Sequence, residues 1–467
     1  MDRARRTAAY LAAAITLGIL ASATPVAAEA TKADDDVRFA QYDGYESPGT
    51  PAKYDKVGVI ETGPEDAKNV LVLVPGTSAS AAYFEPIAED IVAENKGWQV
   101  WAVERRENLL EDHSVLNEVK AGKATPRELF EYYLGFVTDP TISPHFEFIP
   151  DSDVAYAKEW GMKVAVEDLH RVVEAAKKKG GEVVLGGHSL GGSIATAYAT
   201  WDFGGKPGAK DLSGLVYIDG GSGPTPVTPE AATQSLQALE SGSPWLTFGG
   251  ITAPYTGLFN LVGSTTVHEQ PNEPSLLQTW PVLPANLKPP VPTTSVASYG
   301  FALDVKTSPP GLAAAQAHLG ELAASGDPRG WDRAGALTPI QRYADMFSGT
   351  GLESHDGTAW YHPQRLTIDS GAVAAGNANP TQAVLDVEAT HGRDLPKSLR
   401  IYAFGASLGG TRVLDAARLL AEQSAIPSSH LTLVDRHDTY SHNDPSSAAP
   451  KNDFLQNLTP FLHKIAA

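Results

Sequence analysis

The stretch EVVLGGHSLGGSIATAYAT, residues 182–200, places the strongest constraint on how this chain folds. An apolar run is followed by a Gly-x-Ser-x-Gly turn centred on Ser189, and then by small and apolar residues typical of a helix. Glycines on both sides of the serine are needed where a Cβ would strike a neighbouring strand or helix. The pattern predicts a strand, a sharp turn and a helix, with Ser189 at a strained position, as in a nucleophile elbow.

Further apolar runs predict strands, at residues 56–61, 69–74, 98–103, 212–218, 399–404 and 431–434. Helical periodicity falls between them, at residues 84–94, 154–179, 412–423 and 452–465. The alternation predicts an α/β fold with a doubly wound, mainly parallel sheet. Residues 34–55 are polar and are expected to form an entry segment.

The alternation stops between about residues 222 and 396, where prolines cluster and aromatic side chains are scattered. A stretch of this length is too long for a loop in a compact fold. It is therefore predicted to be an insertion with partial structure of its own.

The elbow and the alternation together resemble the α/β-hydrolase superfamily, and in particular a secreted bacterial-type serine esterase or lipase. The resemblance covers residues 57–221 and 397–467, and the insertion at 222–396 matches the position of a cap or lid. It implies a large hydrolase domain over residues 31–467, with Ser189 as the nucleophile. It also implies that the acid and the base follow the serine in that chain order.

The resemblance implies that the base is a histidine after the last strand. His442 lies in Thr-Tyr-Ser-His-Asn-Asp-Pro before the final helix, which is similar to the family's catalytic loop. His437 is the alternative, but it follows the strand directly and has little loop in which to reach back. We therefore predict His442 as the general base.

Most members of the family carry the acid after the strand at 399–404, but the loop that follows it here has no carboxylate. The preceding strand ends in Asp219, and some lipases and dehalogenases of the family place the acid there. Asp219 is thus the predicted acid, with Asp435 and Asp444 as alternatives near the histidine.

Residues 405–409, Gly-Ala-Ser-Leu-Gly, form a second Gly-x-Ser-x-Gly between a strand and a helix. Only one predicted strand follows it, whereas Ser189 has strands upstream and an acid and a base downstream. Ser407 is therefore the less favoured nucleophile, although its place at a strand end is compatible with lining a pocket.

An oxyanion hole needs backbone N–H groups fixed where the tetrahedral oxygen forms. The resemblance assigns one to Leu190 and the other to the loop after the strand at 69–74, which reads Pro-Gly-Thr-Ser. That loop resembles one group of lipases in which the threonine donates, so Thr77 is predicted ahead of Ser78. A simple Pro-Gly turn is the alternative.

Three charged residues, Glu104, Arg105 and Arg106, follow another strand. A surface ion pair is the favoured interpretation, and a place in the site is the alternative. No sequence motif indicates a metal, a nucleotide or another cofactor.

The N-terminus carries arginines, a short apolar run and small residues, which predicts a signal peptide over residues 1–30 cleaved at Ala28 or Ala30. The protein is therefore expected to be secreted or to lie in the cell envelope, with no stable membrane span after cleavage. A retained N-terminal anchor is the alternative, although the apolar run is short for a membrane span. The chain has no cysteine, so it forms no disulfide. A net charge of -19 argues against nucleic acid and anionic membranes as partners.

These features predict a secreted serine hydrolase that cleaves a small-molecule or lipid-like carboxylic ester with a substantial apolar part. An amidase or a C–C bond hydrolase would use the same residues, and sequence does not separate these reactions. A catalytically inactive hydrolase fold used for binding is the third alternative.

Overall fold

The computed structural model describes residues 36–248, 251–349 and 351–467, so the predicted signal peptide lies outside the described residues. Within these ranges, no helix has the length and apolar character needed to cross a membrane.

The strands are β1 Val37–Asp43, β2 Lys56–Thr62, β3 Asn69–Val74, β4 Trp98–Glu104, β5 Val183–His188, β6 Gly214–Ile218, β7 Thr247–Phe248, β8 Ile251–Thr252, β9 Glu321–Gly326, β10 Arg329–Asp332, β11 Arg400–Gly405 and β12 Leu431–Asp435. The α-helices are α1 Glu85–Glu94, α2 Ser114–Lys120, α3 Pro126–Tyr133, α4 Met162–Lys177, α5 Leu190–Thr200, α6 Pro229–Ser241, α7 Ala253–Glu269, α8 Leu276–Thr279, α9 Ser295–Leu303, α10 Ile340–Ser348, α11 Gln364–Ser370, α12 Pro380–Leu385, α13 Thr411–Gln423, α14 Asp444–Ser447 and α15 Asp453–Ala466.

The central sheet has eight strands in the order β1-β2-β4-β3-β5-β6-β11-β12. Strand β2 pairs antiparallel with β1 and β4, and every other neighbouring pair is parallel. The carboxyl ends of β3 to β6, β11 and β12 therefore lie at one edge of the sheet, where ligand chemistry is expected. The predicted fold class, an α/β fold with a doubly wound and mainly parallel sheet, is confirmed.

Two local predictions were wrong. The polar segment at 34–55 contains β1, an edge strand whose residues are only half-buried or exposed, so its sequence lacks the apolar run of a central strand. The helix predicted for 154–179 begins only at Met162, because Gly161 separates it from a 3₁₀ segment over Asp151–Glu159. A Cβ on Gly161 would lie 2.0 Å from Asp369 Oδ2, so the chain turns where a side chain does not fit.

Helices cover both faces of the sheet. On one face, α4, α5 and α13 form an apolar cluster with the strands. On the other face, α1 and α15 do so together with the insertion helices α9 and α10. These layers bury the central strands β3 and β5 almost completely, which explains their apolar sequences.

A third hydrophobic cluster contains no residue of the sheet. It joins residues of the segment that follows β4, such as Leu129 and Tyr133, to residues of the insertion, such as Trp245, Leu258 and Trp360. The insertion at 222–396 and the 105–160 segment therefore form one common hydrophobic core. The sequence did not indicate that these two segments pack together.

Candidate active site

Ser189 lies at the tight turn between β5 and α5, with φ 55° and ψ −123°. This left-handed backbone is rare for a residue with a side chain and stores strain. The surrounding glycines allow the turn, since a Cβ on Gly187 would lie 2.1 Å from the carbonyl carbon of Gly191, and one on Gly191 would lie 2.0 Å from Val74 O. The sequence thus folds locally into a turn that lifts Ser189 above the sheet edge.

His442 and Asp219 are both buried and hydrogen-bonded to each other, with 2.6 Å between His442 Nδ1 and Asp219 Oδ2. The Asp219 carboxylate also accepts the backbone N–H groups of Ala406 (2.7 Å), Leu408 (3.2 Å) and Gly409 (3.0 Å). Burial raises the pKa of Asp219, but the bonds from His442 and from these N–H groups outweigh it and lower the pKa below its ordinary value. The arrangement holds an ionised carboxylate against one nitrogen of the imidazole.

The second Gly-x-Ser-x-Gly supplies those N–H donors. Its loop follows β11, the strand next to β6, so its backbone reaches Asp219, the residue directly after β6. Ser407 is exposed, lacks the left-handed backbone of Ser189 and donates its N–H to Tyr440 O at 2.9 Å. The loop therefore holds the candidate acid and does not form a second elbow.

His188, directly before Ser189, connects the elbow to the His442 loop, a link that sequence reasoning missed. Its Nε2 donates to the His442 carbonyl oxygen at 2.9 Å, and the two ring centroids are 4.3 Å apart. Tyr83 also stacks on His188, with 5.0 Å between the ring centroids, and donates to Asn443 Oδ1. Burial, together with repulsion from His442, lowers the pKa of His188 to about 3, so its imidazole is neutral.

This neutral imidazole predicts a pH dependence of stability. The unfolded chain binds a proton at His188 near pH ~6.5, whereas the folded chain resists protonation down to about pH 3. The stability contributed by this residue is therefore complete above ~6.5 and is lost as the pH falls toward 3. His188→Gln keeps an N–H donor and removes the titration, so its free energy of unfolding should fall less steeply across this window.

Denaturant titrations between pH 7 and pH 4 measure the effect. His463→Gln, which alters an exposed histidine of the last helix, is the matched control and should follow the wild-type curve. Equal slopes for His188→Gln and the wild type would show that His188 does not contribute in this way.

The loop after β3 lies against the elbow. A Cβ on Gly76 would lie 2.8 Å from Ser189 Cβ. Ser78 has φ 52° and donates its N–H to His362 Nδ1 at 3.3 Å. The N–H groups of Thr77 and Leu190, in contrast, meet no acceptor within the part of the chain that the structure describes. Both N–H groups are therefore candidate donors to an oxygen bound near Ser189.

The surface ion pair predicted for Glu104, Arg105 and Arg106 is wrong, because all three are buried. Glu104 accepts the N–H of Ala81 at 2.7 Å, and Arg106 forms a salt bridge with Asp168 at 2.6 Å. Arg105 contacts the loop after β3. Their position at the end of β4 and directly after it, at the carboxyl edge of the sheet, was the signal that this segment lies near the site.

The insertion contacts both candidate loops. Its residues 357–359 run beside the loop after β3, with Ala359 N donating to Ser78 O at 2.9 Å. Its residues 316–318 contact the loop after β12 and the start of α14, since Asn443 N donates to Gln316 O at 3.2 Å and His318 N donates to Asp444 Oδ1 at 2.9 Å. The insertion is thereby fixed at the edge of the sheet that holds Ser189.

Glu111, His113 and Asp356 are the one group within the described ranges whose ligand atoms approach closely enough to hold a metal ion, all within 4.8 Å. His113 Nε2 lies 3.0 Å from Asp356 Oδ2, an oxygen that also accepts Trp360 Nε1–H. Burial lowers the pKa of His113, but bonds to Asp356 and Glu111 outweigh it and raise the pKa to about 10. We interpret the group as a buried ion-pair cluster that joins the segment after β4 to the insertion.

No protein-family model and no curated protein sequence matches this chain. Solved structures similar to it include a Sulfolobus solfataricus protein described as a lipase, with 15% identity, 92% of this chain and 93% of the other covered, and a TM-score of 0.44. A carboxyl esterase from Bacillus coagulans shares 12% identity over 92% and 99% of the chains, with a TM-score of 0.41. Monoglyceride lipase from Saccharomyces cerevisiae shares 11% identity, with 92% of this chain and 95% of the other covered and a TM-score of 0.36. Likeness at this level carries no argument about activity, which must come from the site itself.

Proposed function

We propose that the protein is an exported serine hydrolase that cleaves carboxylic esters through an acyl-enzyme, with Ser189, His442 and Asp219 as its catalytic triad. One observation carries the proposal: the buried hydrogen bond between His442 Nδ1 and Asp219 Oδ2, formed beside the strained turn that bears Ser189. A serine hydroxyl is a weak nucleophile until a base accepts its proton, and this pair supplies an oriented base.

In the proposed reaction, Ser189 Oγ attacks the ester carbonyl carbon while its proton passes to His442 Nε2. Asp219 keeps the Nδ1–H tautomer and stabilises the imidazolium without accepting the proton. The backbone N–H donors to Asp219 favour the ionised carboxylate and so support this role.

The carbonyl oxygen becomes negatively charged as the bond to Ser189 forms. The free N–H groups of Thr77 and Leu190 stabilise this charge, and Leu190 also begins α5, where the helix dipole favours an anion. Collapse of the intermediate expels the alcohol with the proton from His442. Water then attacks the acyl-enzyme by the same route.

Export is proposed from the N-terminal sequence alone, in which arginines, an apolar run and small residues follow one another as in a signal peptide. Enzyme purified from the culture medium, and beginning after Ala28 or Ala30, would agree with this part of the proposal. A chain that keeps its N-terminus and stays in the cytoplasm would contradict it.

An apolar part of the substrate is proposed from the insertion, which we suggest covers the site. The hairpin β7–β8 exposes Phe248 and Ile251, and Tyr255 follows it. The hairpin begins beside the loop after β3, since Leu246 N donates to the carbonyl of His362, the residue that accepts the Ser78 N–H. Apolar side chains near the mouth of the site favour an ester with an alkyl or aryl group.

We therefore expect kcat/KM for p-nitrophenyl esters to rise with acyl length from acetate to octanoate. Each buried methylene contributes up to about 0.8 kcal/mol, which is about a fourfold rise per methylene until the site is filled. Initial rates across the series measure this, with Ser189→Ala as the background control. A steady fall with chain length would refute the apolar substrate but not the esterase activity.

A further inference from the structure

We propose that Arg105 is a positioning residue that orients the loop after β3 so that the Thr77 N–H faces the reacting oxygen. The inference rests on the function proposed above. Sequence patterns for this fold give the loop and its donors, but not what holds them, and here the guanidinium of Arg105 lies directly behind the loop.

All three guanidinium nitrogens of Arg105 are engaged. Nη1 donates to Pro75 O at 2.9 Å, and Nη2 donates to Gly76 O at 3.2 Å and to Ala79 O at 3.0 Å. Nε donates to Glu107 Oε1 at 2.6 Å. Arg105 is 7% exposed, so these bonds are shielded from competing water.

These bonds determine the direction of the N–H groups. The peptide bond between Gly76 and Thr77 is trans, so its C=O and N–H point in opposite directions. Arg105 binds the Gly76 oxygen, and the Thr77 N–H therefore points away from Arg105. Gly76 itself lies against Ser189, which places this peptide beside the elbow.

A second contact removes the competing donor. Ser78 N–H is bound by His362 Nδ1, and burial followed by repulsion from Arg105 lowers the pKa of His362 well below its ordinary range. A neutral His362 remains able to accept this bond. Thr77, and not Ser78, is thereby left as the donor from this loop.

Lysine cannot replace this arrangement. Its ammonium is a single point charge, whereas the planar guanidinium spans three carbonyl oxygens and a carboxylate at once. Arg105→Lys keeps the charge near Glu107 but should leave part of the loop without fixed donors. The Thr77 N–H would then no longer be held where negative charge develops, and preorganisation of this kind is what an oxyanion hole contributes.

The test compares Arg105→Lys with Arg106→Lys. Arg106 is the matched control, because it is an adjacent buried arginine whose guanidinium bonds to Asp168, Asp55 and Tyr45 O rather than to the loop after β3. Removing one oxyanion-hole donor costs about 10²–10³ in kcat in a known protease, so misplacing one should cost about 10- to 100-fold. We expect Arg105→Lys to lose this much kcat on p-nitrophenyl butyrate with KM little changed, and Arg106→Lys to lose thermal stability but little kcat.

A boronic acid, which forms a tetrahedral adduct with serine, gives a second readout. Its affinity should fall with kcat in Arg105→Lys, and the affinity of an uncleaved amide analogue should stay near that of the wild type. A purely structural role would instead lower kcat to the same extent in Arg105→Lys and Arg106→Lys. That result, or an unchanged kcat in Arg105→Lys, overturns the inference.

If Arg105→Lys does not fold, Glu107→Gln is measured in its place, because it removes the charge that holds Nε of Arg105. A loss of kcat greater than that of Arg106→Lys supports the inference, and an unchanged kcat overturns it. Failure of the proposed function looks different, since the wild type would then show neither esterase activity nor reaction of Ser189 with a serine probe.

Discussion

Ser189→Ala is expected to abolish esterase activity, with a fall in kcat of at least about 10⁴. The substitution removes the hydroxyl that we propose forms the acyl-enzyme, while the helix and the backbone N–H groups of Thr77 and Leu190 remain. Hydrolysis of p-nitrophenyl butyrate by purified wild type and variant, with circular dichroism to establish folding, measures the effect.

Ser407→Ala is the matched control, because it alters the same position of the other Gly-x-Ser-x-Gly. Ser407 is exposed and its loop holds Asp219 through backbone N–H groups, which the substitution leaves in place. Activity within about twofold of the wild type is expected. The reverse pattern, with activity lost in Ser407→Ala and kept in Ser189→Ala, would exchange the roles of the two motifs.

Asp219→Asn should lower kcat by about 10⁴ with little loss of structure, as the equivalent change does in a serine protease. An amide oxygen can still accept the N–H groups of Ala406 and Gly409, so the loop after β11 keeps its anchor. The amide nitrogen would then face His442 Nδ1. Because the amide nitrogen is a donor, it favours the tautomer in which Nδ1 accepts and Nε2 carries the proton, which is the wrong tautomer for a general base. Steady-state kinetics, with thermal unfolding as a check on the fold, measure the loss.

Asp435→Asn provides the comparison within the same region of the chain. Asp435 forms a similar bond to a histidine, with 2.6 Å to His437 Nδ1, but Asp435 is exposed and His437 is only half-buried. Its replacement should leave kcat unchanged within about twofold. If Asp435→Asn were the damaging variant, or if Asp219→Asn lost less than about tenfold, the acid would have been assigned to the wrong residue.

The sheet was predictable because its central strands are covered on both faces. Burial on both sides demands apolar residues at successive positions, and β3, with Asn-Val-Leu-Val-Leu-Val, shows this most clearly. Strand β1 was not predicted, because it is an edge strand with an exposed side and so keeps polar residues. The strands that carry Ser189 and Asp219 belong to the first kind.

The parts of the site that sequence missed depend on backbone groups or on distant segments. The donors to Asp219 are N–H groups of residues 406–409, whose side chains give no indication of this role. Arg105 was expected at the surface, since charged residues are seldom buried, and only the folded loop shows the carbonyls that it binds. The shared core of the insertion and the 105–160 segment needs contacts between residues far apart in sequence, such as Tyr133 and Trp360.

The most direct test of the account is covalent labelling of the wild-type protein with a fluorophosphonate, followed by proteolysis and mass spectrometry of the modified peptide. Phosphonylation requires a serine activated by a base beside an oxyanion hole, which the account assigns to one residue. We predict a single label on Ser189, absent in Ser189→Ala and strongly slowed in Asp219→Asn. A label on Ser407, or no label on a protein that hydrolyses esters, would contradict the assignment.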